Sequence, residues 1–166
     1  MSIAPAATAV FPPLPARNLN GRKLALPADF AGVRNVVLIA FRRWHQQLVD
    51  SWGPALDPLL AIYPDLRTYE LPMLASSYSL VRPFIDGGMA SAIRDQAVRE
   101  RTLTIYTNIA QGMAALQIGN PETITILLVD RSGTISWRSE GAYDPEKGRG
   151  LERALAEIGV GEPAIP

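Results

Sequence analysis

The residues with the most chemistry per position fall in one short stretch, Phe41-Arg42-Arg43-Trp44-His45-Gln46, directly after the apolar run Val36 to Ala40. His45 is the only histidine of the chain. At the start of a helix, the positive helix end and the neighbouring Arg42 and Arg43 disfavour its protonation and leave a neutral imidazole near pH 7. A general base also needs a nucleophile and an orienting partner, and no nearby serine sits in a nucleophile-elbow motif. As a metal ligand His45 has no cysteine or second histidine to join it, only scattered carboxylates. A structural or surface histidine is therefore the plain alternative. Arg42 and Arg43, next to free helix N–H groups, suit a phosphate or carboxylate, or are simply solvated. Trp44 shares a helical face with Trp52, which points to the core. Its place at the carboxyl end of a strand, where open α/β sheets bind ligands, instead suits an exposed anchor for a partner peptide.

Other motifs exclude more than they propose. Gly87-Gly88 lacks both a P-loop lysine and the dinucleotide pattern, so no nucleotide site is expected. Asp130-Arg131-Ser132-Gly133 is a turn. Arg82, Arg94, Arg99 and Arg101 are interspersed with Asp86, Asp95 and Glu100 and read as a solvated face. The chain has no cysteine, which removes disulfides, thiolate metal sites and peroxidatic thiols together. Sixteen Lys+Arg balance sixteen Asp+Glu, which gives no case for nucleic acid or an anionic membrane surface. The expectation is no catalytic residue, no metal and no cofactor. No run approaches the roughly 20 apolar residues of a membrane span, and the N-terminus is a poor signal peptide. The cytoplasm is the default compartment, unless a leader or anchor has been removed.

The 166 residues suit one domain with a sizeable core. Residues 1–15, with four prolines, are expected to form an extended or disordered arm, residues 16–160 the domain, and 161–166 a tail. Asn20-Gly21 between two short runs predicts a β-hairpin over 16–26. Val36 to Phe41 is apolar without alternation, as in a strand covered on both faces. Trp44 to Tyr63 is helical, kinked or split at Gly53-Pro54. Leu66 to Leu71 alternates as a strand does. Ser79 to Arg101 carries a helical stripe of Leu80, Phe84, Met89, Ile93 and Ala97, broken at Gly87-Gly88. Leu103 to Tyr106 is a strand, and Asn108 caps a helix through Ala115. Ile124 to Val129 is a second buried strand, Thr134 to Arg138 returns antiparallel, and a helix from Pro145 to Ile158 closes the chain with Gly159 as its cap. The fold class is α/β, a mixed sheet sandwiched by helices with an N-terminal β-hairpin.

With Asn20-Gly21-Arg22-Lys23 ahead of the buried strand and Val129-Asp130-Arg131-Ser132-Gly133-Thr134-Ile135 near the end, this order resembles the thioredoxin-like superfamily. It is most similar to the branch of peroxiredoxins and membrane-tethered thiol reductases. Phe11-Pro12, Gln46/Gln47 to Trp52, and the run from Val129-Asp130 through Trp137 to Gly141 resemble a narrower, cysteine-poor group, the mitochondrial ATP-synthase assembly factors and their bacterial relatives. The superfamily resemblance implies an attacking cysteine at His45 or Gln46 and its partner at Leu48 or Val49, and none of these four residues forms a thiolate. It also brings in Pro121, near where many relatives place a cis-proline, with the isomer left open. What the resemblance implies is the fold without the redox reaction. The expected function is binding, as an assembly or chaperone-type factor with a protein partner and candidate contacts Arg42, Arg43, Trp44, His45, Gln46 and Pro121. The alternative is a small-ligand protein or non-thiol enzyme built on His45, Arg42 and Arg43. A third possibility, a subunit of an oligomer, would show as an exposed apolar patch.

Overall fold

The apolar run after Asn35 becomes the middle of the sheet. In the computed structural model, which describes residues 10–161, β3 (Arg34–Ala40) pairs parallel with β4 (Leu66–Ala75) and antiparallel with β6 (Thr125–Asp130). Covered on both faces, Val36 to Ile39 are buried, which is why the run shows no alternation. Beyond β4 lies β5 (Leu103–Thr107), parallel to it, and then the hairpin β1 (Leu14–Asn18) and β2 (Lys23–Leu26). Beyond β6 lies the antiparallel β7 (Ile135–Glu140), giving the order β2-β1-β5-β4-β3-β6-β7. The mixed sheet and the N-terminal hairpin are those expected from sequence.

The hairpin turns where Asn20-Gly21 predicts, with Gly21 at φ +88° and the Asn18 side-chain oxygen accepting from Asn20 N–H and Arg22 N–H. The fold also takes in part of the proline-rich arm, since Phe11 is buried and Val10 bridges to Thr134. Residues 1–9 of that arm and the tail after Gly161 lie outside the described residues.

Two layers of core flank the sheet. On one face Val37, Ile39, Leu71, Met73, Leu103, Ile105 and Leu127 pack with Phe11, Phe30, the hairpin and α5 (Ile109–Leu116), which is capped by Asn108 as expected. On the other, Val36, Leu38, Ile124, Ile126 and Leu128 meet α1 (Gln46–Asp50), α2 (Gly53–Ile62) and α6 (Pro145–Gly161). The expected break at Gly53-Pro54 separates α1 from α2, with Pro54 in the first turn of α2. The last helix runs on past Gly159 to Gly161 instead of stopping there.

The segment after β4 departs furthest from expectation. A short 3-10 stretch, Ser76–Val81, leads into α3 (Arg82–Ala92), and α4 (Gln96–Glu100) follows. Gly87-Gly88 lies inside α3, and the break comes at Ile93–Asp95, where the Asp95 carboxylate accepts from Ala97 N–H and starts a new helix. Leu80 and Phe84, two members of the apolar stripe, are 92% and 83% exposed. The reason lies in what α3 covers. β5 turns Leu103 and Ile105 to one core and Thr104 and Tyr106 to the other side, where polar groups receive α3. Arg82 donates to Asp86 (3.1 Å) and to the Thr104 carbonyl (2.9 Å). Asp86 in turn accepts from the hydroxyls of Thr104 (2.9 Å) and Tyr106 (2.8 Å). The Arg82 guanidinium also lies 4.4 Å from the centre of the Tyr106 ring. The helix is held by a polar clamp; Phe84 faces out, and Ile85 and Met89 are half-buried.

Candidate functional site

The parallel strands β3 and β4 end at the same edge of the sheet, and the turn Phe41 to Gln46 leaves from it. The chain makes one 3-10 turn at Arg43–His45 before α1 begins at Gln46. That turn decides where each candidate side chain goes.

His45 folds underneath it and is fully buried. Its Nδ1 accepts from the backbone N–H of Phe41 (3.0 Å) and of Arg42 (3.2 Å), which fixes the neutral tautomer with the proton on Nε2. Nε2 is buried without a hydrogen-bond partner. Burial holds the pKa below the usual 6.5, assisted by the Arg42 charge and opposed by the backbone and carboxylate of Glu122. A ring whose lone pair is spent on the backbone has none to offer a substrate or a metal. The geometry therefore makes His45 a brace for the turn.

Trp44 goes the other way. It is 51% exposed, with its ring edge-on to His45 at 4.6 Å between centroids. Trp52, expected on the same face, is wholly buried, and its indole N–H donates to the Gly141 carbonyl at 3.0 Å. The two tryptophans part because α1 starts only after the 3-10 turn, so the helical spacing between them does not hold. Arg43 is exposed beside Trp44. Arg42 reaches across to Glu122 at 2.9 Å, an ion pair open to solvent that ties the turn to the segment entering β6. Pro121, next to Glu122, is half-buried. Its peptide bond is trans; among the described residues the one cis bond is Leu26–Pro27. Arg42, Arg43, Trp44 and Gln46 thus share an exposed turn with Pro121 near it, while His45 lies beneath.

Gln46 links this turn to a group that sequence reasoning passed over. Its amide donates to Asp50 at 2.9 Å and favours the charged form of Glu70. Glu70 stands on β4 opposite Leu38, half-buried, in a cavity of about 260 Å³ that Asp50, Asp57, Thr68 and Arg101 also line. Burial raises the Glu70 pKa above 4.5, with Asp50 adding to the rise and Gln46 and Arg101 opposing it. The signal was a carboxylate in a strand of a sheet covered by helices on both sides. Alternation within Leu66 to Leu71 disguised it as a solvent-facing position. None of Arg42, Arg43 and His45 lines this cavity. Among the described residues no group of three or more His, Asp or Glu side chains is placed to hold a metal ion.

No protein-family model and no curated protein sequence matches the chain. Solved structures do. Yeast Sco1 with copper bound superposes with a TM-score of 0.63 at 13% identity, over 96% of this chain and 98% of that one. BsSco, described as a member of the Sco family of cytochrome c oxidase assembly proteins, gives 0.61 at 12% identity, over 94% and 99%. A thiol:disulfide interchange protein from Bacteroides sp. gives 0.55 at 17% identity, over 96% and 93%. The chain has the thioredoxin-like fold without its cysteines.

Proposed function

We propose that this chain is a non-redox thioredoxin-fold protein that works by binding a protein partner at the carboxyl edge of its sheet, as an assembly or chaperone-type factor. The observation that carries this reading is the posture of Trp44. In place of a thiol, the turn presents a half-exposed indole on a buried histidine whose own position is fixed by two backbone hydrogen bonds. A rigid aromatic flanked by arginines is the composition of an interface anchor, because little side-chain freedom is lost when it docks. That one structure of the same fold belongs to a described assembly protein is in keeping with it. So is the run from Val129 through Trp137 to Gly141, which resembles the ATP-synthase assembly factors. The copper of yeast Sco1 is that protein's own. Here the turn offers no thiolate, and the His45 lone pair is already engaged, so the residues present do not fit a soft-metal site.

The test is affinity capture with the purified chain, comparing wild type with W44A and R43E. W44A is expected to lose the specific partner, with at least tenfold weaker binding, while keeping its thermal midpoint, since the indole is half in solvent. No specific partner, or the same partner held equally by W44A, sinks the reading. The burial of His45 inside the turn and away from the cavity supports binding over the enzyme alternative.

A further inference from the structure

The half-buried carboxylates of this chain are answered, with one exception. Among the described residues Asp65 pairs with Arg34, Asp86 with Arg82 and Asp144 with Lys147, while Asp130 accepts from the backbone N–H groups of Ser132 and Thr134. Glu70 has no ion pair among them, although Arg101 stands near enough to favour its charge. A carboxylate shielded from water without a counter-ion raises the free energy of the fold, and burial is the main cause of the raised Glu70 pKa. The cavity of about 260 Å³ between the sheet and α1–α2 leaves room for a counter-ion beside it.

From this we infer that the cavity takes a primary ammonium group on an aliphatic stem, seated on Glu70. The lining selects that chemistry. Asp50 and Asp57 at the exposed rim bring two negative charges against the single positive charge of Arg101. Val49, Leu56 and Leu60 supply aliphatic walls for a methylene stem. No aromatic face is offered, because the Tyr69 ring belongs to the core on the opposite side of the sheet, where its hydroxyl accepts from Ala31 N–H. Quaternary ammonium and guanidinium groups, which aromatic faces hold best, are therefore disfavoured. Among the described residues no three acidic side chains converge to hold a metal ion. The volume falls below the roughly 300–1,000 Å³ of small-molecule pockets, and it suits a single side chain or a small amine. The sheet edge beside Glu70 favours a lysine carried by a peptide. The β5 ladder joins β4 only from Met73, with one bridge from Glu70 to Thr102. The Glu70 N–H points away from β3 to the Arg101 carbonyl at 3.0 Å. Thr68, two residues back, turns its backbone the same way and meets no strand there, which is the opening an added extended segment requires.

Amide chemical shifts of the purified chain, titrated with n-butylammonium chloride against sodium chloride of equal ionic strength, test this. Saturable shifts are expected at Gly53, Asp57, Thr68 and Glu70, and E70Q should weaken binding at least tenfold. E70Q should also melt at or above the wild-type temperature, since it removes the unanswered charge and keeps the shape. A blocked tripeptide with lysine between two alanines distinguishes the sources. Binding at least tenfold tighter than that of butylammonium identifies a peptide lysine, and equal affinity identifies a free amine. The proposal is overturned by the absence of saturable shifts with both probes, by E70Q binding as wild type does, or by tetramethylammonium binding as well as butylammonium. A clear drop in the melting temperature of E70Q also overturns it, because Glu70 would then be a structural group. Trp44 does not line the cavity, so W44A should bind both probes normally, which keeps this result separate from the partner-binding test.

Discussion

His45 shows how a residue whose type suits catalysis can be committed to structure. Its neutral ring is the acceptor for two backbone N–H groups that the strand-to-helix turn leaves without other partners. H45L removes that acceptor and is expected to cost about 1–3 kcal/mol in urea denaturation, whereas H45N, with an oxygen near the Nδ1 position, should recover much of it. The folded ring protonates less readily than the unfolded one, whose pKa is near 6.5. Its contribution is therefore fully present above that pH and is lost as pH falls towards the lower folded value. Stability measured from pH 8 to pH 5 should fall on the acid side in wild type and fall less in H45N; equal slopes would show that another group is responsible. Sequence placed this histidine at the right turn. It did not reveal the direction of the ring, which depends on the Phe41 and Arg42 N–H groups both pointing inward.

At the scale of elements, α3 differs from α2, α5 and α6 in what holds it. α2, α5 and α6 each bury leucines in a core, and α3 buries none, hanging from β5 by the Arg82–Asp86–Tyr106 clamp. Helices without buried apolar contacts open at low free-energy cost. Hydrogen exchange in residues 82–92 is expected to be much faster than in β3 and β6. D86A should accelerate it further while moving the global unfolding midpoint little. If D86A instead loosens the central strands to the same degree, the clamp belongs to the global fold. The stripe Leu80, Phe84, Met89, Ile93 is periodic, and periodicity identifies an apolar side but not whether anything covers it. The elements read correctly are those whose signal is local: the Asn20-Gly21 turn, the Asn108 cap, and the unalternating runs of β3 and β6. Those misread depend on a neighbour distant in the chain, namely the polar side of β5 under α3.

At the scale of the whole molecule, the run that carried the finer family resemblance proves to be sheet-closing hardware. Asp130 accepts from the backbone N–H of Ser132 and Thr134, Gly133 sits at φ +93°, Trp137 packs edge-on to Trp52 at 6.2 Å, and the Gly141 carbonyl receives the Trp52 indole. Each of these residues has a packing reason, so the pattern reports architecture before activity. With no cysteine anywhere in the chain, the molecule should be inert in insulin-reduction and peroxidase assays, with or without added reductant. Turnover above the buffer blank in either assay would require a mechanism that this fold does not use when it carries thiols.

The three tryptophans are unequally placed. Trp52 is sealed inside and Trp137 is half-covered beside it, while Trp44 is half in solvent on the surface proposed for a partner. The protein therefore carries its own optical label. Iodide should quench the red-edge emission of Trp44 and leave the blue emission of Trp52 almost untouched. A partner seated on the turn would shield Trp44, so that docking is visible in unmodified protein as a loss of quenching.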